Sequence, residues 1–174
     1  MINDIEEYAK KNNIPIMQKD GIEFLCNYIK ENNITNILEV GTAIGYSAIK
    51  MCLVNDNVKV TTIERDIERY NIAIDNINKF NLNDKCDLIF IDAAKSQYIK
   101  FFEKFEVNLK DNGVIVSDNL SFHGLVEDPS KTHNRNTRQL VGKIKRYIDY
   151  LKNNTKYTTT FYSLGDGVAI SQKR

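Results

Sequence analysis

Two acidic strand ends carry the chemistry in this 174-residue chain: Phe90-Ile91-Asp92-Ala93-Ala94-Lys95 and Val116-Ser117-Asp118-Asn119. Each follows a short apolar run of the kind that forms a buried parallel strand. Neighbouring strands would bring Asp92, Asp118 and Asn119 together on one rim of a sheet, with Lys95 one helical turn past Asp92. All three are oxygen donors, which suit Mg²⁺, Ca²⁺ or Mn²⁺ better than zinc. Such a site leaves coordination positions for a substrate, and a bound divalent ion lowers the pKa of a chelating hydroxyl. Lys95 could then take the hydroxyl proton. Taken singly, Asp92 and Asp118 read equally well as caps, Asn119 as a turn residue and Lys95 as a solvated cation. Two such ends on adjacent strands argue against coincidence. His123 and His133 lie in a loop region without ligand spacing and read as surface residues.

Ahead of these ends lies Ile37-Leu38-Glu39-Val40-Gly41-Thr42-Ala43-Ile44-Gly45, a strand entering a glycine turn. Ligands of open α/β sheets bind beyond the carboxyl ends of the strands. Gly41 and Gly45 let the backbone approach such a ligand closely. The spacing is GxxxG, without the GxGxxG of dinucleotide binders or a P-loop lysine. Glu39 precedes the turn and Glu64 ends the second strand, where an acid suits ribose hydroxyls. A nucleoside without phosphate fits best, and S-adenosylmethionine is one whose cations favour carboxylates. A short glycine motif alone would mark only a helix start between solvated glutamates; its strand context and the two acids favour the cofactor.

The elements that position these residues follow from periodicity. Asp20 to Asn32 has a helical apolar face, Asn36 to Val40 reads as a strand, and Gly45 to Val54 as a helix. Val58 to Ile63 is a second strand, and Asp66 caps a helix with the stripe Ile67, Tyr70, Ile74 and Ile77. Asp87 to Ile91 and Gly113 to Val116 are further strands, separated by a helix carrying Ile99, Phe102 and Phe105. Glu127 to Asn136 is an extended loop. Leu140, Val141, Ile144, Tyr147, Ile148 and Leu151 form the clearest helical stripe. Tyr157 to Tyr162 and Val168 to Ile170 flank Gly165-Asp166-Gly167, a hairpin signal. This alternation predicts one α/β domain over residues 1–174: a mostly parallel, doubly wound sheet with an antiparallel C-terminal hairpin at its edge.

Composition agrees. With 42% hydrophobic and 27% charged residues the chain is globular, and a net charge of +1 gives no global signal for nucleic acid. Cys26, Cys52 and Cys86 form no CxxC pair and leave one over, the usage of a reduced cytoplasmic protein. No secretory signal or membrane-spanning run is evident.

Glu39 to Ser47, Thr61 to Asp66, Ile91 to Lys95, Ser117 to Asn119 and Gly165 to Ser171 together resemble the cation-dependent, catechol-type O-methyltransferases. The resemblance runs from about Ile5 to the C-terminus. Leu120 to Val126 and Ile14 to Gln18 look closest to the bacterial branch that methylates 5-hydroxyuridine at the tRNA wobble position. The resemblance implies a Rossmann-like methyltransferase fold, Mg²⁺ (or Mn²⁺) on Asp92, Asp118 and Asn119, and Lys95 as the base. It places S-adenosylmethionine against Glu39, Gly41, Tyr46, Ser47, Glu64 and Asp92. It also suggests a homodimer. The chemistry is consistent: O4 and O5 of 5-hydroxyuridine form a chelate like that of catechol.

One departure stands out. Only Asn81 to Cys86 separate the helix ending near Phe80 from the strand at Asp87, where the family has a further strand and helix with adenine contacts. About 98% of parallel crossovers are right-handed. The shortened chain therefore requires the helix to change face or the second strand to pair unusually, unless a segment is lacking.

For tRNA, the electrostatic support is local: Lys131, His133, Arg135 and Arg138, followed by Lys143, Lys145 and Arg146. The solvated face of an amphipathic helix explains that cluster equally well. A small phenolic substrate is the alternative, with Phe122, Tyr162 and Tyr98 as aromatic walls. A non-catalytic binding protein is the third reading, motivated by the shortened sheet.

Overall fold

The computed structural model describes residues 1–64, 66–80, 88–91 and 97–174. Six strands form one sheet in the order β2-β1-β3-β4-β6-β5. The first four are parallel: β1 (Asn36–Val40), β2 (Lys59–Ile63), β3 (Leu88–Ile91) and β4 (Val114–Ser117). The hairpin β5 (Tyr157–Tyr162) and β6 (Val168–Lys173) closes the other edge antiparallel to β4. The expected sheet is therefore present, with β3 and β4 adjacent and parallel so that their carboxyl ends share one rim.

Helices cover both faces. On one lie α1 (Ile2–Lys11), α2 (Lys19–Glu31) and α3 (Tyr46–Cys52), whose Ile22, Leu25, Ile29 and Ile49 are fully buried with Ile37 of β1. On the other lie α5 (Tyr98–Phe105) and α6 (Arg135–Asn153), which bury Phe102, Ile144, Tyr147 and Leu151. The α6 stripe is thus a core face, and Asn134 caps that helix by accepting from the backbone N–H groups of Asn136 and Thr137. Helix α1 had no counterpart in the periodicity reading; it buries only Ile5 and Ala9.

The connection after β2 departs from expectation. Helix α4 (Ile67–Asn78) is capped by Asp66, as its sequence implies. It stays on the α3 face: Asn76 Nδ2 donates to the Ile44 carbonyl at 2.9 Å, and Ile72 and Ile77 pack on that side's core. Strand β2 pairs with β1 in ordinary parallel register. Neither escape from the handedness rule is taken. Because β2 and β3 flank β1 on opposite sides while α3 and α4 share a face, the β2-α4-β3 crossover has the opposite hand to β1-α3-β2.

The apolar stripe of α4 is corrected too. Only Ala73 of this helix is buried. Ile67 is 68% exposed, Tyr70 45% and Ile74 38%, and Ile63 at the end of β2 is 42% exposed. A groove of about 230 Å³ runs between α4, α3 and β2. The helical period was read correctly, but the described residues place nothing over much of the apolar face.

Candidate active site at the carboxyl rim of the sheet

The turn leaving β1 is built on unusual backbone. Gly41, Ala43 and Gly45 have φ of 110°, 47° and 85°. Such conformations cost an ordinary residue of order 1 kcal/mol and concentrate at functional sites. The turn is held by its neighbour strand: the Gly41 and Thr42 N–H groups both donate to the Ile63 carbonyl. The Ala43 N–H donates to Glu64 Oε2 at 2.8 Å, and the Asp66 N–H to Glu64 Oε1 at 2.9 Å. Glu64 therefore clamps the end of β2 to the glycine turn. At Gly45 a Cβ would make only ordinary contacts, 3.4 Å from Ile77 and 3.5 Å from Ala73 of α4, so the left-handed backbone and not the space favours glycine there.

Glu39 is wholly buried and accepts from the hydroxyls of Ser47 and Thr62. A buried carboxylate survives only with such donors. Thr62 in turn lies 2.6 Å from the Thr42 hydroxyl. Glu39 thus ties β1, α3 and β2 together beneath the turn. Ser47 serves the same network, and Tyr46 donates to Glu6 of α1 at 2.7 Å. Both hydroxyls expected at the cofactor are engaged by protein carboxylates. Burial, then the Glu6 hydrogen bond, pushes the Tyr46 phenol well above its ordinary range.

At the end of β4, Ser117 and Asp118 are buried. The Ser117 and Tyr147 hydroxyls lie 2.6 Å apart, and Tyr98 donates to the Asp118 carbonyl at 3.0 Å. Asn119 follows at φ 63° and donates from Nδ2 to Asp118 Oδ2 at 3.1 Å. A carboxylate and an amide at a strand end, braced from α5 and α6, have the donor chemistry of a divalent-cation site. Among the described residues alone they form no cluster sufficient to hold a metal. Asp92 and Lys95 lie outside the described residues, as does Cys86.

Lys131, His133, Arg135 and Arg138 are all exposed. Lys131 closes a short 3-10 turn within the long loop, and its Nζ lies 3.9 Å from where a Cβ of Gly124 would sit, near the loop that continues from Asn119. Arg138 Nε donates to the Thr132 carbonyl. Of the aromatic residues, Tyr98 is a core residue edge-on to Tyr147 at 5.0 Å, and Tyr162 packs against Phe24 at 4.9 Å. Neither is a free wall. The periodicity reading passed over Thr62, Tyr147 and Asp166. Thr62 and Tyr147 look in sequence like ordinary strand and stripe residues; Asp166 was read as part of a turn.

The strand order, the helices on both faces and the glycine turn before an acidic second-strand end define the class I S-adenosylmethionine-dependent methyltransferase fold. A protein from Bacillus cereus, solved as an O-methyltransferase with SAH, shares this fold: TM-score 0.81, 23% identity, covering 99% of this chain and 90% of that one. The chain belongs to the O-methyltransferase family, whose model matches it in two pieces, residues 1–88 and 80–174. The pieces meet where the shortened connection falls. A Staphylococcus aureus structure provisionally described as a caffeoyl-CoA O-methyltransferase is 36% identical with a TM-score of 0.93, covering 99% of this chain and 92% of that one. The caffeoyl-CoA O-methyltransferase of Populus kitakamiensis is 25% identical over 193 residues, covering 97% of this chain and 82% of the relative. That match is longer than the chain's 174 residues, so the relative carries residues with no counterpart here. Homologues and neighbours of this kind make the protein an S-adenosylmethionine-dependent O-methyltransferase. No helix among the described residues is long and apolar enough to cross a membrane.

Proposed function

We propose that this enzyme methylates a metal-chelated hydroxyl, that of 5-hydroxyuridine at the tRNA wobble position, giving 5-methoxyuridine. The observation that carries the reading is the connection of two features along the chain. The buried carboxylate end of β4 and the exposed cations Lys131, Arg135 and Arg138 are joined by one loop and the start of α6. Phosphate neutralisation supplies most of the affinity for nucleic acid, so a substrate carried on RNA calls for cations beside the site.

S-adenosylmethionine fits the turn, which Glu39 braces from beneath through Ser47 and Thr62. Partly exposed Glu64, at the end of β2, is the carboxylate placed to suit ribose hydroxyls and the ligand's positive charges. Mg²⁺ (or Mn²⁺) fits Asp118 and Asn119, with Asp92 as the third ligand proposed from the sequence. When bound, such an ion supplies Lewis acidity that favours the ionised form of a chelating hydroxyl. Lys95 is proposed to accept the proton of that hydroxyl. Asp118 is fixed through Tyr98, and Ser117 through Tyr147, which limits reorganisation at the strand end. Lys131, Arg135 and Arg138 hold the RNA backbone.

A small phenolic acceptor is the second reading, favoured by the similarity to the Populus caffeoyl-CoA O-methyltransferase and to the Staphylococcus structure described as one. The test is methyl transfer by the purified chain with Mg²⁺, offered a 5-hydroxyuridine-containing tRNA or caffeoyl-CoA. Product on tRNA alone, with affinity that falls on Arg135→Glu and Arg138→Glu, supports the proposal. Product on caffeoyl-CoA alone replaces it. A folded chain that binds no S-adenosylmethionine by calorimetry would make it a non-catalytic relative.

A further inference from the structure

The hairpin turn between β5 and β6 places a buried acid against the loop that follows Asn119. Asp166 is 5% exposed, and its Oδ1 accepts from the His123 N–H at 2.5 Å. Its carbonyl accepts from the Ser121 N–H at 2.7 Å, and the Gly167 carbonyl from the Leu120 N–H at 3.0 Å. Gly167, at φ 85°, is required here, since a Cβ would come within 2.8 Å of the Ser121 nitrogen. The clamped loop is strained: Asn119, Phe122 and His123 all take positive φ. Asp166 Oδ2 is buried with no hydrogen-bond partner among the described residues. It lies 3.7 Å from Nδ1 of His123, whose side chain is 68% exposed.

A buried carboxylate oxygen left over against a strained loop is a feature that structure alone does not need. A modest movement of the imidazole closes the gap to hydrogen-bond distance. A neutral imidazole that donates Nδ1–H to a carboxylate keeps Nε2 as an acceptor. Here Nε2 would then belong to an exposed ring four residues past Asn119, on the same loop as Gly124 and its neighbour Lys131.

We propose that His123 contacts the methyl acceptor, taking a hydrogen bond at Nε2 from the imide N–H beside the chelating oxygen of a uracil-type ring, and that Asp166 is its positioning residue. This inference rests on the proposed RNA substrate and adds a specificity contact to that site. An imide N–H is absent from simple catechols, so the contact would separate the two acceptor classes.

The chain has two histidines, so imidazole ¹⁵N NMR reads each one. At pH 8, His123 is expected as the Nδ1–H tautomer in the full chain. In Asp166→Asn it should fall back to the mixture shown by exposed His133. The same tautomer in both proteins overturns the positioning role. The second arm uses an anticodon stem-loop RNA bearing 5-hydroxyuridine. His123→Leu should raise KM about tenfold at unchanged kcat, the scale of one lost hydrogen bond, with an unchanged unfolding midpoint as the check that its left-handed backbone tolerates leucine. His123→Gln, which keeps an acceptor, should recover most of that loss. RNA methylated equally well by His123→Leu refutes the contact and leaves the proposed function standing. RNA left unmethylated by the wild-type chain refutes the proposed function, and the imide contact with it.

Discussion

Replacing Glu39 by glutamine tests whether the cofactor turn is held from beneath by a charge. Glu39 is fully buried and receives the Ser47 and Thr62 hydroxyls. Hydrogen bonds to a charged group contribute about 1.5–3 kcal/mol each, and neutral ones about 0.5–1.5. Glutamine keeps the shape and one acceptor but turns an amide NH₂ toward the second hydroxyl, which must rotate to accept. Thr62 can do so only by rearranging its contact with Thr42 at 2.6 Å. The expected cost is about 2 kcal/mol, one charge-assisted bond weakened and one remade. With a urea m-value of about 2 kcal/mol/M, the unfolding midpoint should fall by about 1 M. S-adenosylmethionine affinity should fall at least tenfold, because the turn and the negative charge are altered together. Glu39→Ala, which also leaves a cavity, should cost more. Equilibrium unfolding and calorimetry on the same preparations decide the matter. A glutamine variant with the wild-type midpoint and wild-type cofactor affinity would refute the reasoning.

The α4 stripe supplies a second test. Ile67→Lys and Ile74→Lys should change stability by no more than about 0.5 kcal/mol, while Ile49→Ala on α3 should cost about 3 kcal/mol in denaturant unfolding. A lysine that costs as much as the core truncation would mean the stripe is covered in solution. Burial pushes the Cys52 thiol up to about 11, against a smaller opposing hydrogen bond from Val60. In the folded protein at pH 8, iodoacetamide should therefore label Cys52 no faster than the chain unfolds, by peptide mass spectrometry. Burial, with Glu106 adding to it, pushes the Tyr157 phenol up to about 12. Folding thus favours its protonated form, so stability is complete below pH 10 and is lost as pH rises from about 10 to about 12. Tyr157→Phe should lessen that alkaline loss, as read by unfolding midpoints at pH 9 and pH 11.

Much of the fold was legible because its signals are local. The runs at Asn36–Val40, Lys59–Ile63 and Val114–Ser117 are short and rich in β-branched or other apolar residues, and Asp66 announces the helix it caps. Gly165-Asp166-Gly167 marked the hairpin, and the shortened connection after Phe80 was visible as chain length. The acids Glu39, Glu64 and Asp118 could be singled out because a carboxylate at the end of an apolar strand is rare without a task. The sequence determined these elements, their order and the residue types available at the carboxyl rim. Tertiary structure alone decided what each group touches, because hydrogen-bond partners come from distant elements. It turned Ser47 and Tyr46 inward, set Gly45 against α4 and made Tyr98 a brace for Asp118. It also left the α4 stripe exposed: periodicity records which face of a helix is apolar, while burial depends on whether another element arrives to cover it. The His123–Asp166 pair joins positions separated by α6 and β5, a proximity that only the clamped hairpin creates.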